Sequence, residues 1–216
     1  MSITRNGSIM VQGASSAGIL AGTYGGTGAN VSPTTAGNVI FSTNGTTWSS
    51  TAKIVQGTVQ NTTSGVAIGF TGIPSWVKRV TLLLNEVSSS GTSGFLVQIG
   101  SGSYLATGYN AGFGVTIPSN GTTVTGTTGS TTAYNITGGI TAAMTVSGTV
   151  VLANMTGNLW SFFSTVTRNN ATAAQNGIQM FQYAPVTLSG ALDRIQILTV
   201  NGTDTFDAGS VNILYE

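Results

Sequence analysis

Few side chains in this sequence can carry acid–base or nucleophilic chemistry. Its 216 residues hold five acids, six Lys and Arg together, no histidine and no cysteine. A Ser–His–Asp triad needs an imidazole base, and a histidine- or thiolate-ligated metal centre needs ligands that this composition lacks. What remains is carboxylate chemistry, in which two acids flank a glycosidic bond, one as general acid and the other as base or nucleophile. The acids are Glu86, Asp193, Asp204, Asp207 and Glu216, and only Asp204 and Asp207 stand close together. Within Asn201-Gly202-Thr203-Asp204-Thr205-Phe206-Asp207 they read first as acceptors that cap backbone N–H groups of a turn. A cation-binding loop is the second reading and catalysis the last. The chain is therefore read as a non-enzyme with no catalytic residue, no metal site and no cofactor.

Other motifs have a structural reading that outweighs the chemical one. Gly25-Gly26-Thr27-Gly28 is followed by no lysine and sits in no strand-to-helix context, so it reads as a close-packed turn and not as a phosphate loop. Lys78 and Arg79 are neighbours on an expected strand, where they face opposite ways; they read as solvated rim charges. Flat aromatic faces beside amides and hydroxyls suit saccharides, which draws attention to Trp48, Trp76 and Trp160. Trp76 and Trp160 fall on the apolar faces of expected strands and read as core, and Trp48 as packing within the N-terminal region. Better candidates for ligand contact are the loop aromatics Tyr104, Tyr109, Phe113 and Tyr134, whose polar neighbours suit adaptable contacts.

The elements that position these residues are strands. Thr, Ser, Asn and Gln with 31 glycines favour strands and tight turns over helices. Val66, Ile68 and Phe70 alternate with Ala67 and Gly69, which is the period of a half-buried strand. After Gly72-Ile73-Pro74 a second strand is expected over Trp76–Glu86, paired with the first, and a third over Phe95–Ile99. Residues 109–134 read as one long loop, or as a loop with a small hairpin at Val115-Thr116-Ile117. Further strands are expected near Thr141–Met155, Leu159–Thr167, Ile178–Tyr183, Leu192–Val200 and Val211–Tyr215. Gly157-Asn158, Asn169-Asn170, Asn201-Gly202 and Ala208-Gly209 supply turn chemistry between them. The fold class is all-β: an antiparallel β-sandwich or jelly-roll-like domain over residues 52–216, with a solenoid as the weaker alternative. Residues 1–51 show no sustained period and too little apolar surface to offset their chain entropy alone. They read as an extended Gly/Ser/Thr-rich arm for attachment or oligomerisation, ordered by neighbouring chains.

Charge bounds the partners. Charged residues make up 5% of the chain and the net charge is +1, against roughly 25% charged in an ordinary domain. Neither the basic stripe of a nucleic-acid binder nor a polybasic membrane patch is present. No stretch is apolar enough to span a bilayer, and Met1–Gly7 lacks the apolar core of a secretory signal, so synthesis in the cytosol is expected.

Some segments carry a resemblance. Tyr24-Gly25-Gly26-Thr27-Gly28-Ala29-Asn30, Pro33–Ile40 and Ser42–Trp48 resemble the linker modules of tail-fibre proteins of tailed bacteriophages. Phe70–Val80 and Thr199–Glu216 look like the C-terminal β domain of phage and prophage tail proteins. The resemblance implies a homotrimeric virion fibre. Its N-terminal arm would join other tail or baseplate proteins, and its C-terminal head would bind host-surface glycan, with Tyr104, Tyr109, Phe113 and Tyr134 as the receptor-contacting candidates. Assembly would take place in the host bacterial cytoplasm. Two alternatives stand beside it: a baseplate or capsid decoration protein without host contact, and a depolymerase of surface polysaccharide.

Overall fold

The computed structural model describes residues 54–110, 112–118, 125–142, 144–170 and 176–216, together with the backbone of four short N-terminal strands. The chain divides into two compact units, Met1–Lys53 and Ile54–Glu216. In the first, β1 (Ser2–Arg5) pairs antiparallel with β2 (Ser8–Val11), and β3 (Asn38–Ser42) with β4 (Trp48–Ala52). The segment expected to be an extended arm thus contains two local hairpins. The Trp48 side chain and the turn at 25–28 lie outside the described residues.

The second unit is all-β, and its described residues include no helix. Its strands are β5 (Val55–Gln56), β6 (Gln60–Asn61), β7 (Ala67–Thr71), β8 (Arg79–Ser89), β9 (Phe95–Ser101), β10 (Ser103–Tyr104) and β11 (Phe113–Pro118). They continue with β12 (Thr125–Thr128), β13 (Tyr134–Asn135), β14 (Thr145–Thr156), β15 (Leu159–Asn169), β16 (Gly177–Thr187), β17 (Arg194–Thr199) and β18 (Phe206–Tyr215). A nine-stranded sheet runs β12-β11-β16-β15-β14-β8-β18-β5, with β6 also on β18; a five-stranded sheet runs β10-β9-β17-β7, with β13 also on β9. All pairings are antiparallel. The inner faces of the two sheets form a sandwich-like core.

Period-2 alternation sets the inner face. Val80, Leu82 and Leu84 of β8, Val150 and Leu152 of β14, and Trp160 and Phe162 of β15 are buried. They meet Ile68 and Phe70 of β7, Val97 and Ile99 of β9, and Ile195 and Ile197 of β17 in one cluster. In β8 the alternation slips: Asn85 and Glu86 are both exposed, and burial resumes at Val87. The slip is a bulge, with register shifts against both β14 and β18. Glu86 takes φ 50° there, and its N–H donates to Ser147 Oγ at 2.8 Å. Opposite it, Gly209 has φ 91°, and a Cβ at that position would collide with the Glu86 carbonyl. Ala208-Gly209 is therefore a bulge inside β18 and not the turn its composition suggests.

Two other expectations need correction. β7 does not pair with β8: β7 lies in the five-stranded sheet against β17, and β8 in the other sheet between β14 and β18. Residues 72–78 are too long for a tight hairpin and contain Gly72 at φ 76° and Pro74; they carry the chain from one layer to the other. Trp76 sits in this crossover and not on β8. The Val77 N–H bonds back to the Pro74 carbonyl at 3.1 Å, and Trp76 is 45% exposed, so it is not a core residue. Residues 109–134, expected as loop, contribute β11 and β12 to the nine-stranded sheet and, at Tyr134, the start of β13. The hairpin at Val115–Ile117 is real and also pairs with β16.

Candidate functional site

Three of the five acids, Asp193, Asp204 and Glu216, have identifiable side-chain partners. Asp204 Oδ2 accepts the Ser93 N–H at 2.9 Å, and Asn201 Oδ1 accepts the N–H groups of Thr203 and Asp204 at 3.0 Å each. The Asn201 side chain first, then the backbone N–H groups of Ser93 and Thr92, hold the Asp204 carboxyl below its usual range. The turn of the motif is thus capped by Asn201, while Asp204 caps the distant backbone at Ser93; Asp207, read with Asp204 as a capping acceptor, is exposed on β18 and is not part of this cap. Asp193 takes Arg194 through Nε–Oδ1 at 2.7 Å and Nη2–Oδ2 at 3.2 Å, and accepts the Gly102 N–H at 3.0 Å. Glu216 pairs with Arg79 at the sheet rim, and Lys78 Nζ donates to Asn154 Oδ1 at 3.4 Å. Among the described residues no group of three or more acids assembles into a cation cage.

The Asp204 cap has a testable pH signature. A carboxyl depressed in the folded state contributes stability that is present above its unfolded pKa and lost as pH falls through the folded one. Asp204→Ala is expected to lower the urea midpoint at pH 7. The gap to the wild type should close as pH drops below the ordinary value of 3.8. A gap that does not change with pH removes the carboxylate from the turn's stability.

The four candidate aromatics separate by location. Tyr109 and Tyr134 are fully buried, so neither touches a ligand on the folded surface. Tyr134 stacks on Phe162 (centroids 4.1 Å, 16°) and meets Tyr109 and Tyr183 edge-on at 4.6 and 5.1 Å. Burial pushes the Tyr109 phenol up to about 12 and raises Tyr134 further. Their Gly- and Thr-rich neighbours wrap the ring cluster and do not expose it. The Tyr183 hydroxyl, for example, accepts the N–H groups of Ser130 and Asn135 at 2.9 and 2.8 Å.

Tyr104 is half-buried on the outer face of the five-stranded sheet. The Ser103–Tyr104 backbone folds over Gly100, where a Cβ would collide with the Ser103 carbonyl, and the Tyr104 hydroxyl reaches Gly69, where a Cβ would collide with it. These two glycines make a floor for the ring. Arg194 Cζ stands 5.7 Å from the ring centroid, within cation–π range. Beside it Gln196 Nε2 donates to Gln98 Oε1 at 2.7 Å, and Gln98 Nε2 to the Thr132 carbonyl at 3.0 Å. An aromatic ring with amides and one ion pair in a shallow shelf is chemistry suited to polar, hydroxyl-rich ligands.

Phe113 lies elsewhere, on the outer face of the nine-stranded sheet, and is 58% exposed. The register places it in a row, Phe113–Gln182–Phe163–Val151–Thr81–Leu214, that crosses β11, β16, β15, β14, β8 and β18. A second row runs Val115–Met180–Thr165–Thr149–Leu83–Asn212, and a third begins Ile117–Ile178–Thr167–Ser147. No side chain in these rows is charged. Phe163 is 45%, Ile178 41% and Ile117 37% exposed. With strands ~4.8 Å apart and same-face rows ~6.8 Å apart, the three rows cover roughly 600 Å² in projection, their Thr, Ser, Gln and Asn positions included. The exposed apolar side chains cluster at the β11–β16–β15 end, and such clusters are candidate interaction surfaces.

Sequence reasoning missed Phe163 and Ile178, and weighed Trp76 for saccharide contact but read it as core, whereas it is exposed. The first had a readable signal: Phe162 and Phe163 are adjacent on one strand, so one of them must face outward. Geometrically the unit is a two-layer antiparallel β-sandwich with an apolar outer face on one sheet and an aromatic–amide shelf on the other. Compared with known protein families, curated proteins and solved structures, the chain matches none.

Proposed function

We propose that this chain is a structural and adhesive protein of a tailed-phage virion: a short homotrimeric tail fibre that binds host-surface saccharide without turning it over. The observation that carries this reading is the uncharged apolar outer face of the nine-stranded sheet, formed by Phe113, Phe163, Ile117 and Ile178 with Val115 and Met180. Two further copies of the same face, arranged with it about a threefold axis, are suitable occupants. The groups of this face are hydrophobic, hydroxyl or amide, so copies pack together without desolvating any ion, which costs several kcal/mol per charge. Side chains standing above the sheet raise the accessible area of the patch beyond its projection, toward the ~800 Å² per partner of a standard interface. The resemblance of the segments around Tyr24–Trp48 and Thr199–Glu216 supplies the protein class. Under it, the N-terminal unit attaches to other tail or baseplate proteins.

Sedimentation equilibrium of the full chain, followed by binding of the assembled species to host cells, tests this. The expected result is a particle of three chains that adheres and leaves polysaccharide length unchanged. A monomer overturns the fibre. A trimer that binds no host cell favours a scaffold role in baseplate or capsid, and shortening of the polysaccharide favours a depolymerase.

A further inference from the structure

A cleft of about 310 Å³ opens at one edge of the sandwich, where β7 ends the five-stranded sheet and the short β5 and β6 flank β18. Its walls include Gly57, Thr58, Gln60, Thr71, Gly72 and Tyr215, and no lining residue is charged. The cleft exists because both neighbouring edges are incomplete. Between β5 and β6, residues 57–59 leave the sheet ladder after the Gly57 N–H bonds the Ile213 carbonyl at 2.8 Å. Gln60 reaches from one sheet to the other, its Nε2 donating to the Gly69 carbonyl at 2.8 Å, which leaves Oε1 as an acceptor.

A further observation points to a ligand. Trp76, 45% exposed, packs against the cleft residue Tyr215 with ring centroids 6.0 Å apart at 53°. A large aromatic ring left in solvent on a crossover segment, tilted against a second ring, gains little as core.

We infer that this cleft and the adjoining Trp76–Tyr215 corner bind a neutral saccharide unit. The inference deepens the adhesive part of the proposed function and rests on it. Apolar C–H faces of a pyranose pack on the exposed indole. Ring hydroxyls find the Thr58 and Thr71 hydroxyls, Gln60 Oε1 and the backbone exposed at the glycines. The volume sits at the low end of the ~300–1,000 Å³ typical of small-molecule sites, which suits a mono- or disaccharide unit of a longer chain. The uncharged lining gives no reason to prefer anionic sugars or phosphates. Single sites of this kind are weak, and presenting several on one oligomer multiplies their effect.

The test uses the full-length chain against glucose, galactose, rhamnose, N-acetylglucosamine and oligosaccharides built from them. Binding is read by array and then by titration calorimetry on the best binder. Trp76→Ala is expected to weaken that sugar at least tenfold, with Trp76→Phe recovering part of the loss. Thr58→Trp, an exposed position on the cleft rim, is expected to block it, and Val200→Ala, in the exposed turn after β17 and away from the cleft lining, to leave it within twofold. Sugar binding that survives both Trp76→Ala and Thr58→Trp overturns the cleft and leaves adhesion standing. An assembled trimer that binds host cells but none of these sugars overturns the cleft alone. An assembled trimer that binds neither sugar nor cell overturns the cleft and the adhesive reading together.

Discussion

Under the proposed trimer, Phe163→Asp is expected to give separate chains without unfolding them. Phe163 sits inside the first outer row, between Gln182 of β16 and Val151 of β14. A carboxylate there would have to lose its water against an uncharged facing surface. Because a symmetric assembly repeats each substitution in every copy, one codon change places a like charge in each subunit at the same interface. The resulting loss of affinity should exceed 100-fold, about 2.7 kcal/mol or more, and hot spots of this size are typically central aromatic residues. The fold should tolerate the change, since Phe163 is 45% exposed within its own chain. Its urea midpoint should stay within ~0.5 kcal/mol of the wild type, the range of ordinary surface substitutions. Val200→Asp supplies the control. Val200 is 55% exposed but lies in the turn after β17, so the same charge there should leave assembly intact. Sedimentation velocity across a concentration series separates the outcomes. A Phe163→Asp protein that assembles like the wild type removes this face from the interface.

The same sheet indicates how far the sequence could be read. Strict alternation made β14 and β15 legible, because Val150, Leu152, Trp160 and Phe162 mark one face and Gly157-Asn158 marks the turn between them. Legibility failed where a tertiary decision overrode a local pattern. Alternation at Val66–Phe70 and again at Val80–Leu84 identifies two strands, but it contains nothing about which sheet each joins. That choice was made by the crossover at 72–78, and it moved Trp76 off the strand. β11 was legible only as the alternative of a small hairpin at Val115–Ile117, because Phe113, Val115 and Ile117 alternate with only Gly114 and Thr116. The inner position Gly114 is filled by the Phe181 ring from the neighbouring strand and not by its own side chain. Around the candidate site, polar neighbours were a poor guide to exposure. Tyr109 and Tyr134 are surrounded in sequence by Thr, Gly and Asn, yet Tyr134 packs on Phe162 and Tyr183, far along the chain, and Tyr109 packs on Tyr134. The Asx-type bonds of Asn201 are local and follow its motif, whereas the Asp204 carboxylate accepts from Ser93 in a distant segment and the bulge at Glu86 is defined by two partner strands, so neither was legible.

The buried ring at position 134 should dominate stability. Tyr134 is fully buried and contacts Tyr109, Phe162 and Tyr183, three rings drawn from a loop and from the nine-stranded sheet, while its backbone pairs with Val97 of the other sheet. It therefore joins the two layers at one point. Tyr134→Ala removes the stacked partner of Phe162 and leaves a cavity, a change that costs ~3–5 kcal/mol for large aromatic residues. That is a large part of the ~5–15 kcal/mol by which a domain is folded at all. Tyr134→Phe separates ring from hydroxyl. The Tyr134 oxygen is buried with no hydrogen-bond partner, and an unmatched buried polar group costs ~1–3 kcal/mol, so the phenylalanine variant should equal or exceed the wild type in urea midpoint at unchanged slope. A loss greater than ~1 kcal/mol in Tyr134→Phe would mean that the hydroxyl is satisfied, for example by a buried water. Alkaline titration supplies an independent check. Burial raises the phenol pKa values of Tyr109 and Tyr134, so the unfolded chain loses these protons first, from its ordinary value near 10. Their contribution is complete below pH 10 and declines as pH rises toward the folded value of about 12 for Tyr109. The wild type should unfold progressively through that window, and Tyr134→Phe should do so less steeply because one of the two buried protons is gone.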